Sequence, residues 1–223
     1  VNSYIENALK ESKQKVLINN IYTYIKDPLP EGFDLDLVLD FVKKTVPEHL
    51  MYGLETIFIG QFEELEERDL DSVYKDGTIY VTNKQLDEDG MIEDIVHELA
   101  HLAEERFGEH VYTDRMVINE FLGKRNRLYE ILKAEKYNVA IEDFYELEYN
   151  KKFDEFLYQE VGYDKLTFMT MGLFVSPYGA TSLREYFADG FDFYFLKDPG
   201  YLSKISPNLF KKIENLVFKE YEG

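Results

Sequence analysis

The sequence predicts an α+β fold, with a small mixed sheet in an N-terminal lobe and a helical C-terminal lobe. Three observations predict it. Runs of β-branched and aromatic residues flank an Asp-Gly pair before residue 85. From Ile92 to Phe107, apolar residues recur at helical spacing on one stripe. Beyond that stripe, further helical patterns follow. The 223 residues are enough for one domain of two lobes, about 1–108 and about 109–223.

The elements are expected in this order. Ser3 to about Ile25 has much helical spacing, but its second half, Val16 to Ile25, is β-branched and aromatic and suits a strand equally well. Pro28 and Pro30-Glu31-Gly32 make a turn. Asp34 can cap a helix from Leu35 to Val46, stopped by Pro47. Thr56 to Ile59 reads as a buried strand, and the acidic run Glu63 to Asp71 as a solvated loop. Ser72-Val73-Tyr74 and Thr78 to Thr82 flank Lys75-Asp76-Gly77, a hairpin signal. The helix of Ile92, Ile95, Val96, Leu99, Leu102, Ala103 and Phe107 is expected to stop at Gly108. Later helices are expected over about 112–135, 141–160, 182–197 and 206–220, with a loop from Phe174 to Thr181.

Composition narrows the function classes. There is no cysteine, which excludes disulfides, thiolate metal sites and a cysteine nucleophile. Acidic residues number 44 against 25 basic ones, a net charge of −19. Such a chain is a poor nucleic-acid binder and is repelled by anionic membranes, and it favours cationic or neutral partners. No apolar run approaches the roughly 18 residues of a membrane span. No signal peptide is visible. The chain starts at Val1, which permits a processed product.

The residues with distinctive chemistry are His97-Glu98-Leu99-Ala100-His101. Residues four apart on a helix lie one turn apart on one face, so both imidazoles can reach one ion. Zinc accepts neutral nitrogen ligands, and a third protein ligand leaves one position open. Glu98 beside the first histidine suits a general base acting on water. The motif follows the strand Thr78 to Thr82, the layout in which an edge strand of a zinc peptidase holds extended substrate by β-addition.

The third ligand is open on spacing alone. A third histidine in the extended motif needs Gly at position 104 and His at 107, where Glu104 and Phe107 stand. The remaining histidines are His49 and His110, the latter expected just past the helix end. A carboxylate is therefore expected. Glu185 heads a helix whose next turn offers Asp189, suited to orient a metal-bound histidine. Ser182-x-x-Glu185 is also a capping box, which would occupy the carboxylate. Glu120 is the second candidate, at a spacing that gluzincins also use.

The stretch Tyr178-Gly179-Ala180-Thr181-Ser182-Leu183-Arg184-Glu185-Tyr186-Phe187-Ala188-Asp189-Gly190-Phe191 resembles the catalytic domain of anthrax lethal factor and the related Pro-Pro endopeptidases. In that family a Tyr-Gly loop leads into a helix of the form E-x-F-A-(D/E)-x-F. The resemblance implies a zincin-like, gluzincin-type metallopeptidase fold with one Zn²⁺ per chain. It implies His97, His101 and Glu185 as ligands, Glu98 as general base and Tyr178 as the phenol that assists catalysis. Pro207 to Phe218 resembles the family's closing helix. The likeness covers about 90–107 and 174–220, is weak before residue 75 and fails over much of 108–173, where an inserted helical segment is expected.

The leading expectation is a zinc endopeptidase acting on a peptide or protein substrate, with basic flanking residues favoured by the charge and the substrate lying antiparallel to Thr78–Thr82. The alternatives are a catalytically silent binding module with this fold, or a latent peptidase within a larger toxin or virion assembly. The resemblance to exported toxins and secreted peptidases favours an extracellular location, with a cytoplasmic or virion-associated one as the alternative.

Overall fold

The computed structural model describes residues 14–16, 21–68 and 70–218. The chain is mixed α+β and mostly helical. It divides into two compact units, one ending at Ala103 and the other beginning at Glu104.

The first unit holds a five-stranded sheet of β1 (Gln14–Val16), β2 (Tyr22–Ile25), β3 (Thr56–Ile59), β4 (Ser72–Lys75) and β5 (Thr78–Val81), in the order β1-β2-β3-β5-β4. β2, β3 and β5 are parallel, and the outer strands β1 and β4 are antiparallel to their neighbours. The expected opening helix lies partly outside the described residues. Where the chain is described, the β-branched alternative holds, as β1 and β2.

Alternation sets the two faces of the sheet. Ile57, Ile59, Ile79 and Val81 are fully buried. On the other face Tyr24, Phe58 and Tyr80 form a row of stacked rings, with centroids 5.4 and 5.6 Å apart. The β4–β5 hairpin turns on Asp76 and Gly77, both at positive φ (48° and 77°), as a two-residue primed turn requires.

One expectation about this sheet is corrected. β5 is not an edge strand, since β3 and β4 pair with it on either side. Among the described residues β4 is the outermost strand on that side, so β5 cannot take a substrate strand.

Helix α1 (Leu35–Thr45) starts where Asp34 caps it, its carboxylate accepting from the Leu37 amide at 3.1 Å. Val38 and Val42 put its apolar face in the core. α2 (Glu63–Arg68) falls where a loop was expected. Leu65, 2% exposed, anchors it, and three glutamates in its first turn suit the positive end of the helix dipole.

α3 (Glu88–Tyr112) begins at Asp87, whose carboxylate accepts from the Gly90 amide at 2.9 Å. It buries Met91, Ile95, Val96 and Leu99 completely. Contrary to expectation it runs through Gly108. Mid-helix glycine costs only about 1 kcal/mol, and burial of Phe107 and Val111 outweighs that. His110 is therefore inside the helix and not beyond it.

The second unit contains the end of α3 and then α4 (Met116–Ala134), α5 (Lys151–Glu155), α6 (Tyr163–Met169), α7 (Leu183–Leu196), α8 (Pro199–Ile205) and α9 (Pro207–Phe218). The single helix expected over 141–160 is broken into a 3₁₀ turn at Ile141–Phe144, α5 and a π turn at Phe156–Val161. Asn150 is the reason: its side chain caps α5, accepting from Lys152 and Phe153, and a capping residue has non-helical backbone. α8 was not anticipated; Asp198 caps it and Pro199 opens it. The core of this unit is aromatic, built on Phe121, Phe144, Tyr186, Phe187 and Phe191. Among the described residues no helix is long and apolar enough to cross a membrane.

Candidate metal centre

His97 and His101 sit one turn apart on α3, as their spacing requires. Their rings meet edge to face, with centroids 4.9 Å apart. His101 is buried and His97 half-buried. Glu98 is also buried, and both of its oxygens accept hydrogen bonds from β4. The Ser72 hydroxyl donates to Oε1 at 2.7 Å and the Tyr74 amide to Oε2 at 2.6 Å. An outer antiparallel strand turns alternate amides away from its neighbour, and Glu98 takes one of these. Neither partner was foreseen in the sequence reading.

Asp94, one turn before His97, shares this environment. Burial pushes its carboxyl up to about 6. The Gln85 hydrogen bond at 2.8 Å opposes that shift, and the charges of Asp71 and Glu98 add to it.

In the second unit, Glu185 lies in the first turn of α7 and is buried. The Ser182 hydroxyl accepts from the Glu185 amide at 3.1 Å, so the serine half of the expected capping box is formed. Tyr178 lies in a 3₁₀ turn, Tyr178–Ala180, just ahead of α7. Burial and the charges of Glu185, Asp154 and Asp189 hold its phenol well above the usual range.

Asp189, one turn along α7 from Glu185, accepts from the Ser176 hydroxyl. Ser176 Oγ in turn accepts from the amides of Tyr178 (3.1 Å) and Gly179 (3.4 Å). Asp189 thus braces the tyrosine turn. A Cβ at Gly179 would stand 2.5 Å from Asp189 Oδ2, so this approach needs glycine. Arg184 Nε lies 3.9 Å from Glu104 Oε2, and the Tyr112 hydroxyl also donates to Glu104. Glu104 belongs to α3, three residues beyond His101. Burial raises its carboxyl, and Glu185 and Glu148 add to that rise.

Glu120 has a different task. Its Oε1 accepts from the Tyr186 hydroxyl (2.9 Å) and the Leu209 amide (3.1 Å). Its Oε2 accepts from the Asn208 amide (2.9 Å) and side chain (3.0 Å). A carboxylate engaged in this way caps the start of α9. His110 offers its carbonyl to Lys212 Nζ at 2.8 Å, and His49 lies on a 3₁₀ turn, Glu48–Met51. Compared with protein-family models, curated proteins and solved structures, the chain matches none.

Proposed function

We propose that this chain is a zinc endopeptidase of zincin-like fold, with His97, His101 and Glu185 as ligands of one ion. Two imidazole nitrogens and a carboxylate oxygen suit zinc and leave a position open. One observation carries the reading. His97 and His101 stand one turn apart on α3 with ring centroids 4.9 Å apart, and the buried Glu98 follows the first of them.

A zinc ion held there supplies Lewis acidity towards water and the scissile carbonyl. Glu98 takes the proton of the attacking water and passes it to the leaving amine. Its hydrogen bonds from Ser72 and Tyr74 fix the carboxylate against β4. Tyr178, a phenol and so protonated at neutral pH, donates to the substrate oxyanion as charge develops there.

The test is metal content and peptide cleavage on the wild type, Glu98→Gln and Glu185→Ala together. The expected result is one zinc per chain in the wild type and in Glu98→Gln, and loss of zinc in Glu185→Ala. Only the wild type should cut a mixed peptide library. A wild type without zinc after reconstitution, or an active Glu98→Gln, would overturn the reading.

A further inference from the structure

We propose that α4 is a clamp for the segment from Leu173 to Thr181, with Lys124 and Arg125 as its positioning residues. The segment carries Tyr178, so the importance of the clamp for catalysis rests on the function proposed above. Its geometry does not.

Lys124 and Arg125 are adjacent in sequence and both buried, Arg125 to 1% exposure. A buried charge is costly, and an apolar residue of similar size would fill either place at less cost to stability. Both cations instead bind backbone carbonyls. Lys124 Nζ donates to the carbonyl of Leu173 and, at 2.7 Å, to that of Ile205, the last residue of α8. It also lies 5.6 Å from the ring centres of Phe174 and Tyr186. Arg125 Nη1 donates to the carbonyls of Ala180 (2.7 Å) and Thr181 (3.2 Å), and Nη2 to that of Asp143. The guanidinium lies 4.1 Å from the ring centre of Phe153, and the rings of Phe121 and Phe144 are 5.3 and 5.6 Å away.

Consecutive residues of one helix therefore hold the two ends of one segment. Lys124 takes its first residue, and Arg125 takes the last two before the Ser182 cap of α7. Between these anchors, Ser176 ties the Tyr178 and Gly179 amides to Asp189. The guanidinium is needed for its reach and its fork, because three carbonyls on two segments lie within its span. A lysine at 125 carries its donors on one nitrogen and lacks the separate Nη1 and Nη2 that reach the two segments. Here the region without family likeness acquires a role: α4 lies within it, and both anchors come from α4.

The test is hydrogen exchange read by mass spectrometry on the metal-free full chain. The proteins compared are the wild type, Arg125→Lys, Lys124→Met and, as a control on the exposed face of α4, Lys133→Met. The amides of Ala180 and Thr181 bond to the carbonyls of Pro177 and Tyr178 and report on the turn. Arg125→Lys should speed their exchange about tenfold or more, with amides of α9 changed less than about twofold. Lys124→Met should act on Leu173 and Phe174, whose amides bond to Thr170, and Lys133→Met on neither. If Arg125→Lys does not melt cooperatively, Phe153→Leu removes the nearest ring and is measured in the same way, with the same turn amides expected to speed up. Unchanged exchange in the turn, or an equal rise across the whole unit, overturns the clamp. Zinc content, measured on separate portions of the same proteins after reconstitution with zinc, keeps the two proposals apart. Localised exchange with no zinc in the wild type overturns the metal reading alone, and bound zinc with unchanged exchange overturns the clamp alone.

Discussion

Lys124 carries its charge where burial disfavours it. Desolvation pushes its ammonium down to about 8, and the Glu120 carboxylate opposes that shift. The unfolded chain keeps lysine near its ordinary value of about 10.4. Between those two values the unfolded state binds more protons, so stability must rise with pH across that window. Below about 8 both states are protonated and the burial cost is present in full. Urea midpoints measured at about pH 7 and pH 9.5 should therefore move in favour of the wild type relative to Lys124→Met, which has no proton to lose. A gap that stays constant, or moves the other way, would show that the ammonium is not strained by its burial. Asp94 is the acidic counterpart beside His97: its carboxyl rises because burial and like charges both penalise ionisation.

At the scale of elements, the start of α9 shows why a spacing argument needs the fold. Glu120 accepts hydrogen bonds from the Asn208 and Leu209 amides at the start of α9. Those amides are among the first of the helix and have no intrahelical partner. Glu120→Ala should cost about 1–3 kcal/mol in urea unfolding and leave zinc content unchanged. A variant as stable as the wild type would remove the capping role. In sequence Glu120 was a carboxylate on a helix, and nothing local distinguished a cap for a helix far along the chain from a ligand.

The legible features were those whose cause is local. The Asp34 cap, the Asp76-Gly77 hairpin, α7 and α9 follow from residues a few positions apart, and so does the pairing of His97 with His101. The illegible ones depend on partners distant in sequence. The helical state of Glu63–Arg68 needs burial of Leu65. The run of α3 past Gly108 needs a core for Val111. The place of β5 inside the sheet needs β3, and the hold of Ser72 on Glu98 needs the hairpin to meet α3. The Lys124-Arg125 pair had a visible trace, two cations between Phe121 and Leu128 on an otherwise apolar face, but charge at helical spacing reads first as a solvated surface.

At the scale of the whole molecule, the net charge of −19 constrains what can approach. Each unit buries its own apolar core, so the excess carboxylates are left mainly to the surface, where they repel acidic chains and attract basic ones. Such a field acts over a Debye length, about 8 Å at physiological salt and far more when salt is removed. It therefore works on encounter and loose binding, not on the chemical step. If the chain cleaves peptides, members of the library with Lys or Arg around the cut bond should be consumed faster than otherwise identical members carrying Glu or Asp. The difference should lie in KM with kcat little changed, because the field is spent before the bond breaks. It should also shrink as sodium chloride is raised towards about 0.5 M, where screening shortens the field to a few ångströms. A preference that survives high salt would point instead to a specific carboxylate in contact with the substrate. Equal consumption of basic and acidic members at low salt would show that the charge of this chain has no part in choosing its substrate.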